Sequence, residues 1–381
     1  GVFCALLAPL LFDWPYEHPL LLIAAATVLP VPPLLRRGTA LNRAAVRWAV
    51  AIVGAALAIG IASYLQDGVA EAPMLARIGL GVLALAALAA AGSRALFAWM
   101  FALLLLVLGG WQQLQTSVSP GARTRSFFGV YTVIQTEPRG YRYLMHGTTL
   151  HGVELMRPGA SRQPMTYYAP ESGVGLAMRS MSQLYGPGAR IAFVGLGAGT
   201  LACYAEPGQH WTGYEIDPVV VRIAQEQFGY IRQCRPDLRL IIGDARLTLA
   251  KAPPGGLDFL AVDAFSSDAI PLHLVTREAF RVYGRTLQPN GVLMIHVTNR
   301  FLDLEPLVAA IGAAEGWTVR VRTYRPGPPR QNRYYSESTW IVLTRTPAGM
   351  AEFEAQSPTG SWQAPATRPG FVAWTDDFAS I

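Results

Sequence analysis

The chain has 381 residues, of which 51% are hydrophobic and only 15% are charged, which is not the composition of an ordinary soluble domain. Its formal charge of +6 comes mostly from arginine, and no basic cluster is interleaved with aromatic residues, so we expect no nucleic-acid partner. The 3 cysteines include no CxxC pair, so neither a disulfide framework nor a metal site is expected, and Cys203 should be a small core residue.

Long uncharged apolar runs fill the first part of the chain, residues 1–116. A membrane-spanning helix needs about 20 apolar residues, so we predict an all-α transmembrane region in the lipid bilayer, with about four spans and a truncated one. Since the chain begins inside such a run, we expect it to be a piece of a longer protein. The runs are Gly1–Phe12, Pro19–Leu35, Trp48–Gln66, Ile78–Ser93 and Ala95–Trp111.

Residues 125–165 differ in character and predict a small β-sheet subdomain. The segments FFGVYTVIQT, YRYLMHG and TLHGVEL are rich in β-branched and aromatic residues and are separated by turn residues. We therefore expect an antiparallel sheet over residues 127–156, followed by a helix near 172–185.

Residues 166–347 alternate between predicted strands and helices, which is typical of a parallel-rich, doubly wound α/β sheet of the Rossmann-like class. Four predicted strands end in succession at Gly195, Glu215, Asp244 and Asp263. Residues 348–381 are expected to form a C-terminal tail. Helices are predicted at 199–206, 217–229, 245–251, 275–287 and 304–315, and further strands at GVLMIHV and near 317–323 and 338–344.

The loops after these strands predict a ligand site, because open α/β sheets bind ligands at the carboxyl ends of their strands. The first loop carries Gly195, Gly197 and Gly199 in a GxGxG turn. The next position is Thr200, where a dinucleotide fingerprint would have its third glycine. The glycines allow a sharp bend and the close approach of a ligand, although a plain tight turn would also explain them.

Acids at the following strand ends indicate what the turn would hold. Glu215 could accept hydrogen bonds from two ribose hydroxyls, and Asp244, next to Ala245, could accept one from an adenine amino group. Each acid alone could instead be a charge at a helix N-terminus. Together they favour a nucleoside without a pyrophosphate, such as S-adenosylmethionine or a relative.

The segment from VGLGAGT through YEIDP, GDAR and VDAFSSDAIPLHLVTREAF to HVTNRFLDLEPLV resembles the spermidine synthase (polyamine aminopropyltransferase) family. With YLMHGTTLHGVE, PMTYYAPESGVG and WTDDF, it resembles the membrane-fused bacterial members in particular. The resemblance implies an enzyme that transfers the aminopropyl group of decarboxylated S-adenosylmethionine to putrescine or a related amine, releasing methylthioadenosine. It also implies the S-adenosylmethionine-dependent transferase form of the Rossmann-like fold and, because family members are commonly dimers, a candidate homodimer.

The resemblance also assigns roles near the reacting amine. Asp263 matches the acid that faces the attacking amine, and Tyr167 matches the tyrosine that borders the amine site. Asp268, in the same loop as Asp263, could hold a second ammonium group or cap the turn before Pro271.

Residues outside the main loops are further candidates. His151 and Glu154 are possible contacts of the substrate amine, although His151 could be a plain hydrogen-bonded residue of the small sheet. Asp376 and Asp377 of the tail could close over the amine site or stay solvated.

The chain departs from the soluble family members at four places: residue 198, the loop acid displaced to Asp268, the residue next to Tyr167, and a glutamine expected near residues 150–154. Ala198 stands where they carry an aspartate that helps to hold the propylamine nitrogen, and a glutamate next to the tyrosine is replaced by Tyr168-Ala169. Loss of the acid at 198 also removes repulsion against an intact methionine carboxylate. A methyltransferase or aminocarboxypropyltransferase that uses S-adenosylmethionine is therefore one alternative, and a non-catalytic polyamine- or nucleoside-binding sensor or transporter is another.

Two arguments place the catalytic domain on opposite sides of the bacterial inner membrane. Arg36, Arg37, Arg43 and Arg47 crowd one loop, which should be cytoplasmic, and three spans later residue 112 lies outside. A cytosolic co-substrate favours the cytoplasmic side, which we prefer for this multi-pass protein. Either the turn Gly92–Arg94 does not separate two full spans, or the arginine-rich loop does not lie on the cytoplasmic side.

Overall fold

The computed structural model describes residues 1–30, 44–65, 72–136, 140–157, 162–264, 271–299, 302–328, 334–368 and 370–379. The chain divides into two compact units, Gly1–Val130 and Tyr131–Ile381. The apolar helices lie in the first unit, and the α/β architecture lies in the second.

Apolar helices build the first unit. Three stretches, Ala44–Ala62, Met74–Gly92 and Arg94–Ser117, are long and apolar enough to cross a membrane, whereas Glu17–Val28 has only 12 residues. The described residues thus contain three candidate spans, whereas the sequence predicts about four and a truncated one. The elements are a π-helical turn Phe3–Leu7, α1 Ala8–Leu11, α2 Glu17–Val28, α3 Ala44–Ala62, α4 Met74–Ala89, α5 Arg94–Leu105, α6 Trp111–Ser117 and the strand β1 Arg123–Ser126.

Two breaks shape the last two candidate spans. A 3₁₀ turn over Ala90–Gly92 and the extended residue Ser93 separate α4 from α5. The turn therefore divides two distinct helices, each part of a candidate span. Gly109, with a φ of +131°, interrupts the helix between α5 and α6 in a conformation that glycine adopts readily.

The second unit begins with the predicted small antiparallel sheet, which is confirmed. The strands β2 (Gly129–Thr136), β3 (Tyr141–His146) and β4 (Thr149–Leu155) pair in sequence order as a meander. Alternate side chains of β2 are buried, as expected for a sheet with one face on a core.

A seven-stranded sheet forms the centre of the second unit. Its strand order is β10-β11-β9-β8-β5-β6-β7. Neighbours from β9 to β7 run parallel, whereas β10 and β11 are antiparallel, so the predicted parallel-rich, doubly wound sheet is confirmed. The strands are β5 Arg190–Val194, β6 His210–Glu215, β7 Arg239–Ile242, β8 Leu257–Val262, β9 Leu287–His296, β10 Thr318–Tyr324 and β11 Ser338–Thr344.

The order of the strands fixes where a ligand can bind. From β5 the chain proceeds outward through β6 and β7, and it then returns to β8 on the other side of β5. The switch point therefore lies between β5 and β8, and the crevice at their carboxyl ends is the preferred ligand position in such sheets. The loop after β5 is the glycine turn, and the residue after β8 is Asp263.

Helices cover the sheet, and two clusters of buried apolar side chains form its core. Asp217 caps α9 by accepting a 2.8 Å hydrogen bond from the backbone N–H of Val219, which confirms its predicted N-cap role. The helices are α7 Gly173–Arg179, α8 Met181–Tyr185, α9 Pro218–Glu226, α10 Tyr230–Cys234, α11 Ala245–Leu249, α12 Arg277–Thr286, α13 Glu305–Ala314 and α14 Pro347–Glu354.

Three predicted helices differ from the observed ones. The predicted helix 199–206 is only a 3₁₀ turn over Thr200–Tyr204, in keeping with Pro207 close behind, which disfavours continued helix. The predicted helix 172–185 is divided at Ser180, and the predicted helix 217–229 ends at Glu226 before the separate α10 begins. Hydrophobic periodicity did not show these breaks, because each short piece keeps an apolar face.

The expectation that Cys203 is a plain core residue is wrong, because it forms a disulfide with Cys234. The two Cα atoms lie 4.8 Å apart, although 31 positions separate them in the chain. Cys203 lies in the 3₁₀ turn after the glycine loop, and Cys234 is the last residue of α10. The pairing follows from the packing of these two elements, which an odd number of cysteines without a CxxC spacing could not reveal.

The C-terminal segment is packed against the sheet unit. Trp362 and Trp374 are buried, each in one of the two core clusters. Gln363 exchanges two backbone hydrogen bonds of 2.9 Å with Val321 of β10. Residues 348–379 thus contribute a helix, α14, and apolar side chains to the core.

Candidate active site

All three glycines of the loop after β5 have positive φ, at +91°, +52° and +84° for Gly195, Gly197 and Gly199. An added Cβ would lie 2.1 Å from the carbonyl oxygen of Asp263, 2.9 Å from that of His151 and 2.7 Å from the side chain of Ile231, respectively. The glycines are therefore required by the bend and by the protein's own packing. The proposed approach of a ligand is not needed to explain them.

We expect Gly195→Ala to lower the free energy of unfolding by about 2–5 kcal/mol, because a positive φ costs about 1–2 kcal/mol and overpacking about 1–3 kcal/mol more. Gly186→Ala is the matched control, since Gly186 has a φ of +75° and open space around the added Cβ. Chemical denaturation of both full-length variants in detergent separates the two contributions. Equal losses would show that the contact with Asp263 does not matter.

Glu215 ends β6 beside the glycine loop and is only 8% exposed. One carboxylate oxygen accepts a 2.9 Å hydrogen bond from the backbone N–H of Leu196, and the other accepts one of 3.0 Å from Asp217. Burial raises the pKa of this carboxyl, and the two N–H donors oppose that rise. A carboxylate oxygen has two lone pairs, so each retains capacity for one ribose hydroxyl.

Asp244 caps α11 by accepting a 2.8 Å hydrogen bond from the backbone N–H of Leu247. Its second oxygen lies 2.9 Å from Nε2 of His273. Ala245 is buried as the first residue of the helix. Asp244 is therefore a helix N-cap. Its remaining lone pairs can still accept a hydrogen bond from an adenine amino group.

Asp263 follows β8 at the switch point and is 8% exposed. Its Oδ1 lies 2.7 Å from Nδ1 of His296, and its Oδ2 accepts a hydrogen bond from the hydroxyl of Tyr168. Its backbone N–H donates to the carbonyl of Val194, so the ends of β5 and β8 are held together. A buried carboxylate with two fixed donors is a well-oriented candidate base.

Strand register explains why these side chains meet. Val262 of β8 lies opposite Ile295 of β9, so the next residues, Asp263 and His296, are neighbours. His296 in turn lies opposite Trp340 of β11. The carboxylate of Asp263, the imidazole of His296 and the indole of Trp340 therefore lie side by side at the ends of three adjacent strands.

The two tyrosines before α7 both lie beside the candidate base and make different contacts. Tyr168, not Tyr167, donates to Asp263, and Tyr167 instead stacks on the imidazole of His296, with ring centres 4.9 Å apart. Burial and the nearby charge of Asp263 raise the pKa of both phenols well above their ordinary value, so both stay protonated at neutral pH. Tyr168 is thus a permanent donor.

Thr166 has a φ of +59°, a conformation that is rare for a β-branched residue. Its backbone N–H donates to the carbonyl of Tyr334 at 2.8 Å, and its carbonyl accepts from Ser336 at 3.2 Å. These contacts hold the backbone immediately before Tyr167 and Tyr168. Such strain concentrates at functional sites, where the surrounding structure holds it in place.

The two candidates on β4 occupy different surroundings. The carbonyl of His151 contacts the glycine loop at Gly197. Glu154 is 3% exposed, accepts a 2.7 Å hydrogen bond from the backbone N–H of Gly229 and lies 3.4 Å from Arg142. Burial raises the pKa of the Glu154 carboxyl. Its contacts tie β4 to the segment before α10, so a role toward the substrate remains a prediction.

Ala198 is 1% exposed and packs against the backbone of β4. A Cβ added to Gly152 would lie 2.5 Å from that of Ala198, so the two small residues fit only each other. Ala198, which stands where the resemblance implies an acid in soluble family members, therefore has its Cβ against β4.

The tail contacts α11 through Asp376, which forms a bidentate ion pair with Arg246 at 2.7 and 2.5 Å. Thr276 donates a further 2.9 Å hydrogen bond, and the Arg246 guanidinium lowers the pKa of Asp376. Arg246 also donates to the carbonyl of His273, which itself contacts Asp244. Asp376 is thus linked through Arg246 and His273 to Asp244, and Asp377 is exposed.

The sequence analysis missed three participants: Tyr168 as the partner of Asp263, His296, and Thr298, whose hydroxyl lies 2.7 Å from His296. The segment GVLMIHV could have indicated His296, because this polar residue lies near the end of an otherwise apolar predicted strand. Asp268 lies outside the described residues. Within them, no group of three or more His, Cys, Asp or Glu side chains is arranged to hold a metal ion.

Comparison with known proteins identifies sequences and structures that are similar to this chain. No protein-family profile matches the chain. A segment of 123 residues is 37% identical to the polyamine aminopropyltransferase of Vibrio vulnificus (strain CMCP6), and covers 30% of this chain and 40% of that protein. A segment of the chain is therefore similar to a polyamine aminopropyltransferase, and the chain spans 40% of the length of this curated relative.

Solved structures support the same fold. A probable spermidine synthase from Corynebacterium glutamicum has a TM-score of 0.50 and 17% identity over 68% of this chain and 97% of its own. Spermidine synthase from Thermotoga maritima has a TM-score of 0.47 and 13% identity over 67% of this chain and 80% of its own. The 123-residue match confirms the resemblance to the spermidine synthase family, and the Corynebacterium glutamicum structure confirms the Rossmann-like fold.

Proposed function

We propose that the protein is a membrane-anchored aminopropyltransferase of the spermidine synthase type. Its substrates would be decarboxylated S-adenosylmethionine and a small amine such as putrescine. The observation that carries the proposal is the buried carboxylate of Asp263, which lies at the switch point of the sheet and is oriented by Tyr168 and His296. The relationship to a polyamine aminopropyltransferase supports it.

The proposed reaction needs no covalent intermediate with the protein. The acceptor nitrogen attacks the aminopropyl carbon bonded to the sulfonium sulfur. A carbon–nitrogen bond forms, the carbon–sulfur bond breaks, and its electron pair remains on sulfur, which leaves in neutral methylthioadenosine. Because the leaving group is already activated, the protein contributes mainly by holding the two reactants in line.

The acceptor amine must lose one proton in each transfer, and this is the role of Asp263. An alkylammonium group has a pKa near ~10, so at neutral pH it carries no lone pair for attack. Asp263 accepts that proton, and general-base catalysis of this kind contributes about 10²–10⁴-fold. Tyr168 and His296 keep both carboxylate oxygens fixed while this happens.

The residues of the glycine loop and of β6 fit the nucleoside part of the donor. Both oxygens of Glu215 already accept from backbone N–H groups at 2.9 and 3.0 Å, which fixes the carboxylate against the loop. The remaining lone pairs match the two hydroxyls of a ribose. Asp244, fixed at the N-terminus of α11, supplies an acceptor for the adenine amino group.

Product analysis tests this proposal directly. The purified full-length chain in detergent is supplied with putrescine and either decarboxylated or intact S-adenosylmethionine. We expect methylthioadenosine and spermidine with the decarboxylated donor. Release of S-adenosylhomocysteine would identify a methyltransferase, and donor binding without any product would identify a non-catalytic binding protein.

The contact between Ala198 and Gly152 supports a second candidate, transfer of the aminocarboxypropyl group from intact S-adenosylmethionine. Because residue 198 is alanine, no carboxylate there can pair with the propylamine ammonium or repel a methionine carboxylate. Calorimetric titration with both donors separates the two candidates. Tighter binding of the intact donor, with methylthioadenosine as the product, would favour the second.

We expect the Cys203–Cys234 disulfide to be formed in cells. Structural disulfides persist in oxidising compartments and are rare in the cytosol. Three candidate spans follow the basic loop, and an odd number of crossings from a cytoplasmic loop supports an outside location of the second unit. Both arguments oppose the cytoplasmic placement that a cytosolic donor favours.

Maleimide mass-tagging of quenched, denatured cells measures the thiols. Only Cys4 should react before reduction, and Cys203→Ser should expose one additional thiol. Reduction should lower the free energy of unfolding by about 2–4 kcal/mol. Two free thiols at Cys203 and Cys234 in untreated cells would contradict the outside placement.

A further inference from the structure

A chain of hydrogen bonds extends from Asp263 to the neighbouring strands. Nδ1 of His296 lies 2.7 Å from Oδ1 of Asp263, and Nε2 lies 2.7 Å from Oγ1 of Thr298. Oγ1 of Thr298 also accepts a 2.8 Å hydrogen bond from the backbone N–H of Thr339 on β11. Both ring nitrogens of the imidazole therefore face a partner of known type.

This chain favours one tautomer of the neutral imidazole. Because the oxygen of Thr298 accepts from Thr339, its own hydrogen can point to Nε2 of His296. The remaining hydrogen of the ring then lies on Nδ1 and is donated to Asp263. The opposite tautomer would place the Nδ1 lone pair 2.7 Å from a carboxylate oxygen, which is repulsive.

Aromatic packing holds the ring in this plane. Its centre lies 4.9 Å from the ring of Tyr167 on one side and 4.5 Å from that of Trp340 on the other, with interplanar angles of 21° and 18°. His296 is only 5% exposed. The stacking leaves the ring edges, where both nitrogens lie, for hydrogen bonding.

We propose that His296 is a positioning residue for the proposed transfer reaction, with its Nδ1–H holding the carboxylate of Asp263 in one orientation. The inference rests on the proposed function, in which Asp263 takes the proton of the acceptor amine. Tyr168 fixes Oδ2 and His296 fixes Oδ1, so the carboxylate cannot rotate away from the amine. Loss of either donor would leave it free to turn about its side-chain torsions.

Two variants separate hydrogen bonding from packing. His296→Phe keeps a ring between Tyr167 and Trp340 but removes both hydrogen bonds, and we expect kcat to fall about 10–100-fold. KM for the amine and the affinity for the donor should stay within about 3-fold, because His296 acts through Asp263. His296→Gln retains an N–H donor and an acceptor, and it should recover most of the lost kcat.

A nitrogen-15 NMR spectrum of histidine-labelled full-length protein provides a readout that does not need activity. We expect neutral His296 to carry its hydrogen on Nδ1, with the exposed residue His210 as an internal reference. His210→Phe is the matched control for the kinetic measurements and should retain the wild-type kcat.

An imidazole with its hydrogen on Nε2 would overturn the inference. So would a His296→Phe variant with the wild-type kcat, or one in which KM and kcat change together with the melting temperature of the protein. An Nδ1–H tautomer in a chain that transfers no aminopropyl group would leave the hydrogen bond in place. It would overturn the proposed function and, with it, the positioning role of His296 in that reaction.

Discussion

Asp263→Asn should lower kcat for aminopropyl transfer by about 10²–10⁴-fold, because an amide cannot accept the proton of the attacking amine. The replacement has nearly the same shape, so the fold should be retained. One of its two positions becomes an NH₂ group, which would face the donor of either Tyr168 or His296. We therefore also expect the free energy of unfolding to fall by about 1–3 kcal/mol.

Methylthioadenosine release at saturating concentrations of both substrates measures this effect. Asp237→Asn is the matched control, because Asp237 precedes β7 and 67% of its side chain is exposed. The donor should still bind to Asp263→Asn, since Glu215 and the glycine loop are unchanged. Wild-type kcat in Asp263→Asn would show that Asp263 is not the base and that the protein acts only by positioning the two substrates.

Glu215→Gln should weaken donor binding by about 10²–10⁴-fold, because two hydrogen bonds from ribose hydroxyls to a charged acceptor are affected. Leu196 and Asp217 both donate backbone N–H groups to the carboxylate oxygens. An amide can accept from only one of them and presents its NH₂ group to the other. The glycine loop should therefore also lose its anchor to β6.

Calorimetric titration with the donor measures the loss of affinity. Glu226→Gln, on an exposed position of α9, is the matched control and should bind the donor as the wild type does. The effect should appear in the affinity for the donor, with a smaller change in kcat once the donor is saturating. Unchanged donor affinity in Glu215→Gln would place the ribose elsewhere.

Local patterns in the sequence sufficed to predict the class of the fold. Buried parallel strands appear as short apolar runs, and their ends at Gly195, Glu215, Asp244 and Asp263 were read from the residues alone. The N-cap at Asp217 followed from a single Asp-Pro pair. The short helices were less predictable, because Ser180 and Pro207 interrupt segments whose apolar periodicity continues.

The candidate site was only partly predictable. Asp263 and Glu215 were found because they end strands, and strand ends meet at one edge of the sheet. Tyr168 and His296 were not, since their contacts with Asp263 depend on a loop held at Thr166 and on the register between β8 and β9. Register depends on how two strands pair, so the sequence of one strand does not predict it.

The sequence by itself determined which segments are apolar, which are strands, and which acids lie at strand ends, because hydrophobic periodicity and turn residues act over a few neighbouring positions. Only the tertiary structure decided that Cys203 meets Cys234, that Ala198 packs on Gly152, and that Asp263 is held by Tyr168 and His296. These contacts join residues 31 to 95 positions apart. Strand order and packing select such pairs from many that the same local patterns would allow.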